Sequence, residues 1–244
     1  MEARLQKIIS SYGAASRRQA EKMILDGRVA VNGRTASLGD VADDEVDEIT
    51  IDGKKLISRP SYLYLILNKP RGYVTTLRDE RGRKSVSDLV KDCGARVYPV
   101  GRLDQYSEGL LLLTNDGELT NKLTHPKGEI KKIYHVWVNG YYDAALVKLR
   151  ASIEIDGRKT IPANVRVLAV KGESTMLEFT LFEGRNRQIR RLCEYAEIRV
   201  TRLKRVQEGC VSLGDLPVGK WRILTEGEIE ELYREAGLVY GLQP

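Results

Sequence analysis

The chain has 244 residues, room for one large domain or two smaller ones, and its 42% hydrophobic and 30% charged residues read as a soluble globular protein. Apolar stretches such as Leu110–Leu113 are far shorter than the roughly 18 residues needed to cross a bilayer. The opening MEARLQKIIS lacks the sustained apolar core of a secretory signal, so neither a membrane nor a secreted destination is expected. Three scattered cysteines (93, 193, 210) fit reduced thiols in the cytoplasm, and with only two histidines no metal site is expected. The net charge of +6 is unevenly spread. DVADDEVDE (40–48) is acidic, whereas residues 185–205 carry eight Arg or Lys against two Glu. Seven of those eight are arginine, which favours bidentate phosphate contact and points to a polyanionic partner.

In chain order, Leu5, Ile8, Ile9 and Tyr12 fall at helical spacing and Gly13 stops the helix. Ser16 with Gln19 forms a capping box for a second helix, with Ala20, Met23 and Ile24 as its buried stripe and Gly27 at its end. Val29 and Val31 alternate into Asn32-Gly33, a hairpin signal, and DEITIDGKKL supplies another strand ending in Asp-Gly. ISRPS around Pro60 reads as a linker, which divides the chain into a module at 1–59 and a larger domain at 60–244. Arg17 and Arg18 stand in the first turn of the second helix, where basic residues oppose the helix dipole. That fits either a ligand-facing role or two solvated arginines.

Beyond the linker, YLYLILNKP reads as a buried strand, followed by a polar loop and a short helix. LLLLTNDG reads as a buried strand and its turn, ELTNKLTHP as a helix, and IKKIYHVWVNG as an alternating strand. YYDAALVKLRASI is helical, NVRVLAVKGESTMLEFTLFEG two strands about a turn, and RNRQIRRLCEYA a basic helix. Thr225 and Glu228 make a further capping box for a final helix. Strands outnumber helices and many are hairpin-like, so the expected class is α+β on a mainly antiparallel sheet.

No phosphate loop, nucleophile elbow or dinucleotide fingerprint is present, so any reaction must use carboxylate, phenol, amide and guanidinium groups without cofactor. Asp116 in TNDGE is explained as turn chemistry. Asp104 in RLDQYSEG reads as neither a tight turn nor a helix start, and the residues alone leave a structural and a functional role equally open. Periodicity alone makes Tyr134 a core strand tyrosine.

Two resemblances narrow these readings. RLQKIISSYGAASRRQAEKMILDGRVAVNGR resembles the small alpha-L RNA-binding module first described in a small-subunit ribosomal protein, the S4 domain, which implies RNA contacts at Arg4, Arg17 and Arg18. YPVGRLDQYSEGLLLLTNDGELTNKLTHP, KIYHVWV and LFEGRNRQIRRLCE, in this order, resemble bacterial pseudouridine synthases acting on ribosomal RNA. The branch is that of the small-subunit enzyme together with types B, E and F of the large-subunit enzymes, with the wording most similar to type B. The resemblance runs from Arg4 to Leu224. It implies a catalytic aspartate at Asp104, a base-stacking tyrosine at Tyr134 and an aspartate-pairing arginine at Arg190. It further implies an RNA-positioning arginine at Arg102 and an apolar pocket wall at Leu203. Arg185, Arg187 and Arg191 of the basic helix are expected to bind RNA. The implied partner is ribosomal RNA, of the large or the small subunit, or a ribosome-assembly intermediate. The protein is expected to act as a cytoplasmic monomer, and an RNA-binding assembly factor without catalysis is the rival reading.

Overall fold

A computed structural model describes residues 2–241 apart from Arg78, with Lys127 described by its backbone alone. The chain divides into two compact units. One consists of the first 63 residues with the short segments 94–96 and 115–117, and the other of the remainder.

In the first unit the helices Leu5–Ser11 and Arg17–Leu25 pack Leu5, Ile8, Ile9, Ala20 and Ile24 into one core with Val29 and Ile49. The expected capping box is formed: the Gln19 amide donates to Ser16 Oγ at 3.2 Å, and the Ser16 amide donates to Gln19 Oε1 at 3.1 Å. Both hairpins expected from Asn-Gly and Asp-Gly are present. Asn32 and Gly33 have φ of 50° and 78°, and Asp52 and Gly53 have 51° and 74°, the two successive left-handed residues that a tight hairpin turn demands. Val31 therefore pairs with Arg34, and Ile51 with Lys54.

The second unit is built on one sheet, and the α+β class holds. Its strands run in the spatial order Asn164–Lys171, Ser174–Leu181, Lys132–Asn139, Arg199–Glu208, Glu108–Thr114, Tyr64–Lys69 and Trp221–Ile223. Two short strands add to its sides: Tyr98–Pro99 on Glu108–Thr114, and Val211–Ser212 on Arg199–Glu208. Tyr64–Lys69 is buried along its whole length, Asn68 and Lys69 included, as is Gly109–Thr114 of its neighbour, so neither alternates. Lys132–Asn139 alternates, with Tyr134, Val136 and Val138 inward.

The ten-residue strand Arg199–Glu208 was hidden in the arginine-rich stretch, because its inward set is Leu203, Arg205 and Glu208 rather than three apolar residues. It lies between two partners of opposite sense. It runs antiparallel to Lys132–Asn139, with two register shifts, and parallel to Glu108–Thr114 through Lys204↔Glu108 and Arg205↔Gly109. Among the described residues the sheet's other pairings are antiparallel.

The parallel contact explains Gly109. Its φ is +99°, and a Cβ built there would lie 2.2 Å from the Arg205 carbonyl oxygen and 2.9 Å from its amide nitrogen. The Arg205 side chain completes the junction, with Nε donating to the Leu110 carbonyl at 2.8 Å. Among the described residues no helix is long and apolar enough to cross a membrane.

Gly109→Ala is expected to destabilise the protein by about 3 kcal/mol or more, since both backbone conformation and space forbid a side chain. Urea unfolding checks this. A variant of unchanged midpoint would show that the two strands are not held this closely.

Candidate active site

The loop that carries Asp104 joins two strands, and it is held from below and from the side. Contrary to the sequence expectation, Asp104 does open a tight turn: its carbonyl accepts the Ser107 amide at 3.0 Å. The QY dipeptide at its centre lacks Gly, Pro or Asn, which is why the turn was not legible. Beneath the turn, Lys69 is fully buried at the end of its strand. Its Nζ donates to the carbonyls of Ser107 (2.8 Å), Asp104 (3.1 Å) and Pro70 (3.2 Å). At the side, Thr75 Oγ1 donates to the Leu103 carbonyl at 2.7 Å, and the Gly72 amide donates to the Gln105 carbonyl at 2.7 Å. The backbone polar groups of this loop are thus turned inward, leaving the Asp104 side chain 32% exposed.

Burial lowers the Lys69 pKa to about 8, against the opposing pull of Asp104 and Glu108. Lys69 was missed in the sequence, where it looked like the end of a buried strand. The signal available was a charged residue between a run of apolar residues and Pro70.

Asp104 opens into a cavity of about 310 Å³ that Tyr134, Arg190, Leu203 and Arg102 also line. The sheet supplies one wall. Tyr134 is 8% exposed and Leu203 6%, both pointing inward from neighbouring strands. Burial raises the Tyr134 pKa, so the phenol is protonated at neutral pH. The helix Gln188–Tyr195 supplies Arg190, whose Nε lies 4.0 Å from Asp104 Oδ2 and whose Nη2 donates to the Tyr106 carbonyl at 3.3 Å. Nε itself is buried without a hydrogen bond among the described residues. Burial depresses the Arg190 pKa, the neighbouring Arg187 adds to this, and Asp104 opposes it. The Asp104–Arg190 pair is an ion pair at its outer limit of distance.

Further basic residues are expected around this site from the sequence. Arg102 and Arg187 are exposed, the latter in a left-handed conformation (φ 52°) just ahead of the helix. Arg185 and Arg191 are already engaged, Arg185 with Glu183 at 2.8 Å and Arg191 with Asp156 at 3.1 Å. Arg4, Arg17 and Arg18 are exposed in the first unit. Cys193, on the arginine helix, has its thiol pushed up to about 12 by burial and is inert as a nucleophile. Among the described residues no cluster of His, Cys, Asp and Glu could hold a metal ion.

The second wall-forming group that sequence reasoning missed is a buried charge pair. Arg205 and Glu208 are each 2% exposed, their side chains 3.0 Å apart, and both line the cavity.

A carboxylate loop set against an aromatic and arginine wall, in a unit separate from a small two-helix module, defines the class of molecule, and comparison with known proteins gives the family. Residues 63–195 match the RNA pseudouridylate synthase family, and residues 3–44 match the S4 domain. An uncharacterized RNA pseudouridine synthase of Aquifex aeolicus (strain VF5) is 44% identical over 243 residues, 98% of this chain and 97% of that one. The ribosomal large subunit pseudouridine synthase B of Bacillus subtilis (strain 168) is 42% identical, covering 94% of this chain and 95% of its own. A crystal structure of a pseudouridylate synthase superposes with a TM-score of 0.67 at 30% identity, covering 94% of this chain and 99% of that chain. The chain belongs to the RNA pseudouridylate synthase family and carries an S4 domain at its N-terminal end.

Lys69→Met is expected to lower turnover by roughly tenfold or more, with RNA affinity changed less than about threefold, because the Asp104 loop loses its anchor while the RNA-facing surface is kept. The pH dependence has a definite sign. Between the folded pKa of about 8 and the ordinary lysine value of 10.5, the unfolded chain holds the extra proton. Stability of the wild type relative to Lys69→Met should therefore rise with pH across that window, as urea titrations at pH 7 and 9.5 would read.

Proposed function

We propose that the protein isomerises a specific uridine of ribosomal RNA to pseudouridine, with 23S RNA of the large subunit as its substrate. The observation that carries the chemistry is the convergence of Asp104, Tyr134 and Arg190 on one cavity. Support for the target comes from the 42% identity to the large subunit enzyme of Bacillus subtilis.

In this reaction the bond from ribose C1′ to uracil N1 breaks, the base turns, a bond forms from C1′ to C5, C5 gives up its proton and N1 takes one up, so that the product is an isomer. Asp104 acts at C1′, as nucleophile or as the carboxylate beside a glycosyl cation. Arg190 holds the Asp104 carboxylate oriented once the substrate has closed the 4.0 Å gap. The base leaves the RNA stack, and Tyr134 and Leu203 form the wall against which it lies. A detached base must stay bound while it turns, and a cavity closed on the sheet side by these residues suits that requirement. Arg102 and Arg187, exposed at the rim, meet the RNA backbone. Arg185 and Arg191 contribute by exchanging their present carboxylate partners for phosphate.

The 1–59 module is the RNA anchor, through Arg4, Arg17 and Arg18, and residues 60–244 form the catalytic domain. The protein works as a cytoplasmic monomer on ribosomal RNA or an assembly particle, and no cofactor enters the reaction.

Asp104→Asn is expected to abolish pseudouridine formation and leave RNA binding within several-fold; turnover by this variant would sink the assignment. Mapping pseudouridines in ribosomal RNA from cells with and without the gene identifies the target. Loss of a 16S site instead would redirect the protein to the small subunit, and an unchanged map would leave the assembly-factor reading. Arg17→Ala with Arg18→Ala should weaken RNA binding and reduce the slope of log K against log salt by about 1.4, two phosphate contacts at roughly 0.7 each.

A further inference from the structure

The Asp104 loop has a cavity on each side. Arg102, Leu103 and Asp104 line the catalytic cavity and also a second one, of about 590 Å³, and the two share no other lining residue. Most of the second wall comes from the polar loop between Val74 and Arg83, which has no part in the reaction as described.

This loop is tightly built around Asp79, whose side chain is 6% exposed. Asp79 Oδ2 accepts the amides of Arg83 at 2.7 Å and Arg81 at 3.2 Å. Its Oδ1 accepts Arg83 Nη2 at 2.6 Å and Nε at 3.1 Å. The Arg83 guanidinium and these amides draw the Asp79 pKa down to about 2, so the anchor stays charged at neutral pH. The loop is also tied to the catalytic segment. Thr75 Oγ1 donates to the Leu103 carbonyl at 2.7 Å and accepts the Leu103 amide at 3.3 Å. Asp104 is thus a ridge between two hollows that are held to one another.

Charge and chain continuity together indicate what the second hollow receives. Arg81, Arg83 and Arg102 line it against Asp79, Glu80 and Asp104, a balance that does not call for a strongly anionic ligand. Arg83 is engaged with Asp79, whereas Arg81 and Arg102 are exposed and make no ion pair among the described residues. A polar, nearly neutral hollow with an unengaged guanidinium suits a nucleobase, whose edge can accept a forked donor. The strand also leads there. With C1′ of the target at Asp104 and its base in the catalytic cavity, the RNA continues across the ridge.

We infer that the second cavity is a subsite for the nucleotide flanking the target uridine in the same RNA strand, with Arg81 meeting the edge of its base and Arg102 the phosphate that joins the two. Binding a neighbour here would help to place C1′ on the carboxylate and would make the choice of target depend on its sequence context.

This inference rests on the proposed reaction, and crosslinking tells the two apart. A benzophenone amino acid is put in place of Glu80, which is exposed and lines the cavity. The protein is irradiated with ribosomal RNA from cells lacking the gene, and reverse transcription maps the crosslink. It is expected at a nucleotide adjoining the uridine that the protein converts. Crosslinks absent, or placed elsewhere on the RNA, would overturn the subsite. A single crosslinked nucleotide beside a uridine that the wild type leaves unconverted would keep the subsite and overturn the isomerase reading. Arg81 is then tested on an RNA fragment whose crosslinked nucleotide has lost its base. Removing the base is expected to lower wild-type kcat/KM about tenfold, and Arg81→Ala should lose about as much on the intact fragment. Both changes together should cost less than about threefold beyond either alone. Losses that multiply independently would overturn the contact. Arg81→Lys keeps the charge and lacks the fork, so a wild-type rate for it would overturn the reading of the base by Arg81.

Discussion

The close approach of Gly109 to the Arg205 backbone is the constraint on which the rest of the catalytic unit depends. It joins two antiparallel sets of strands through a parallel contact only two residue pairs long. One set brings the Asp104 loop, which enters Glu108–Thr114 immediately before the contact. The other brings Tyr134 and Leu203. Without the junction these groups belong to separate hairpins, and no sequence neighbourhood would bring them together. The missing Cβ at 109 is thus a condition for having a pocket at all, since the Arg205 carbonyl occupies that space.

Around the junction the unit is organised by buried charge rather than by apolar packing alone. Lys69 gathers the loop's carbonyls, Arg205 takes the Leu110 carbonyl, and Arg190 takes that of Tyr106. Three cations thus meet main-chain oxygens. Such fixed donors need little reorganisation in the reaction proposed for this site. Among the described residues Arg190 Nε and Arg205 Nη2 are both buried without a hydrogen bond, and the former lies where the substrate is proposed to enter.

How much of this was legible in the sequence depended on how local the cause was. Both helices of the first unit, its capping box and its two hairpins follow from residues within four positions of one another, and all were read correctly. The alternation of Lys132–Asn139 and the full burial of Gly109–Thr114 were equally plain. Asp104, Tyr134 and Arg190 came from the motif resemblance, since the residues alone left Asp104 open and favoured a core role for Tyr134. The strand Arg199–Glu208 was missed because arginine and glutamate occupied inward positions, and only partners far along the chain make that tolerable. Lys69 was missed for the same reason: its partners are carbonyls up to 38 residues away.

The division between a fixed sheet and a loosely committed rim has an evolutionary consequence. The wall at Gly109, Arg205 and Glu208 can vary only in concert, because each occupies space or charge that another requires. The rim is different. Arg102 and Arg187 stand exposed, and Arg185 and Arg191 rest on carboxylates that phosphate could replace. A descendant of this chain could acquire a new RNA target through single changes at the rim, one contact at a time. A change in the reaction itself would need several simultaneous replacements in the sheet. In such a scaffold, target choice is free to diversify while the chemistry stays where it is.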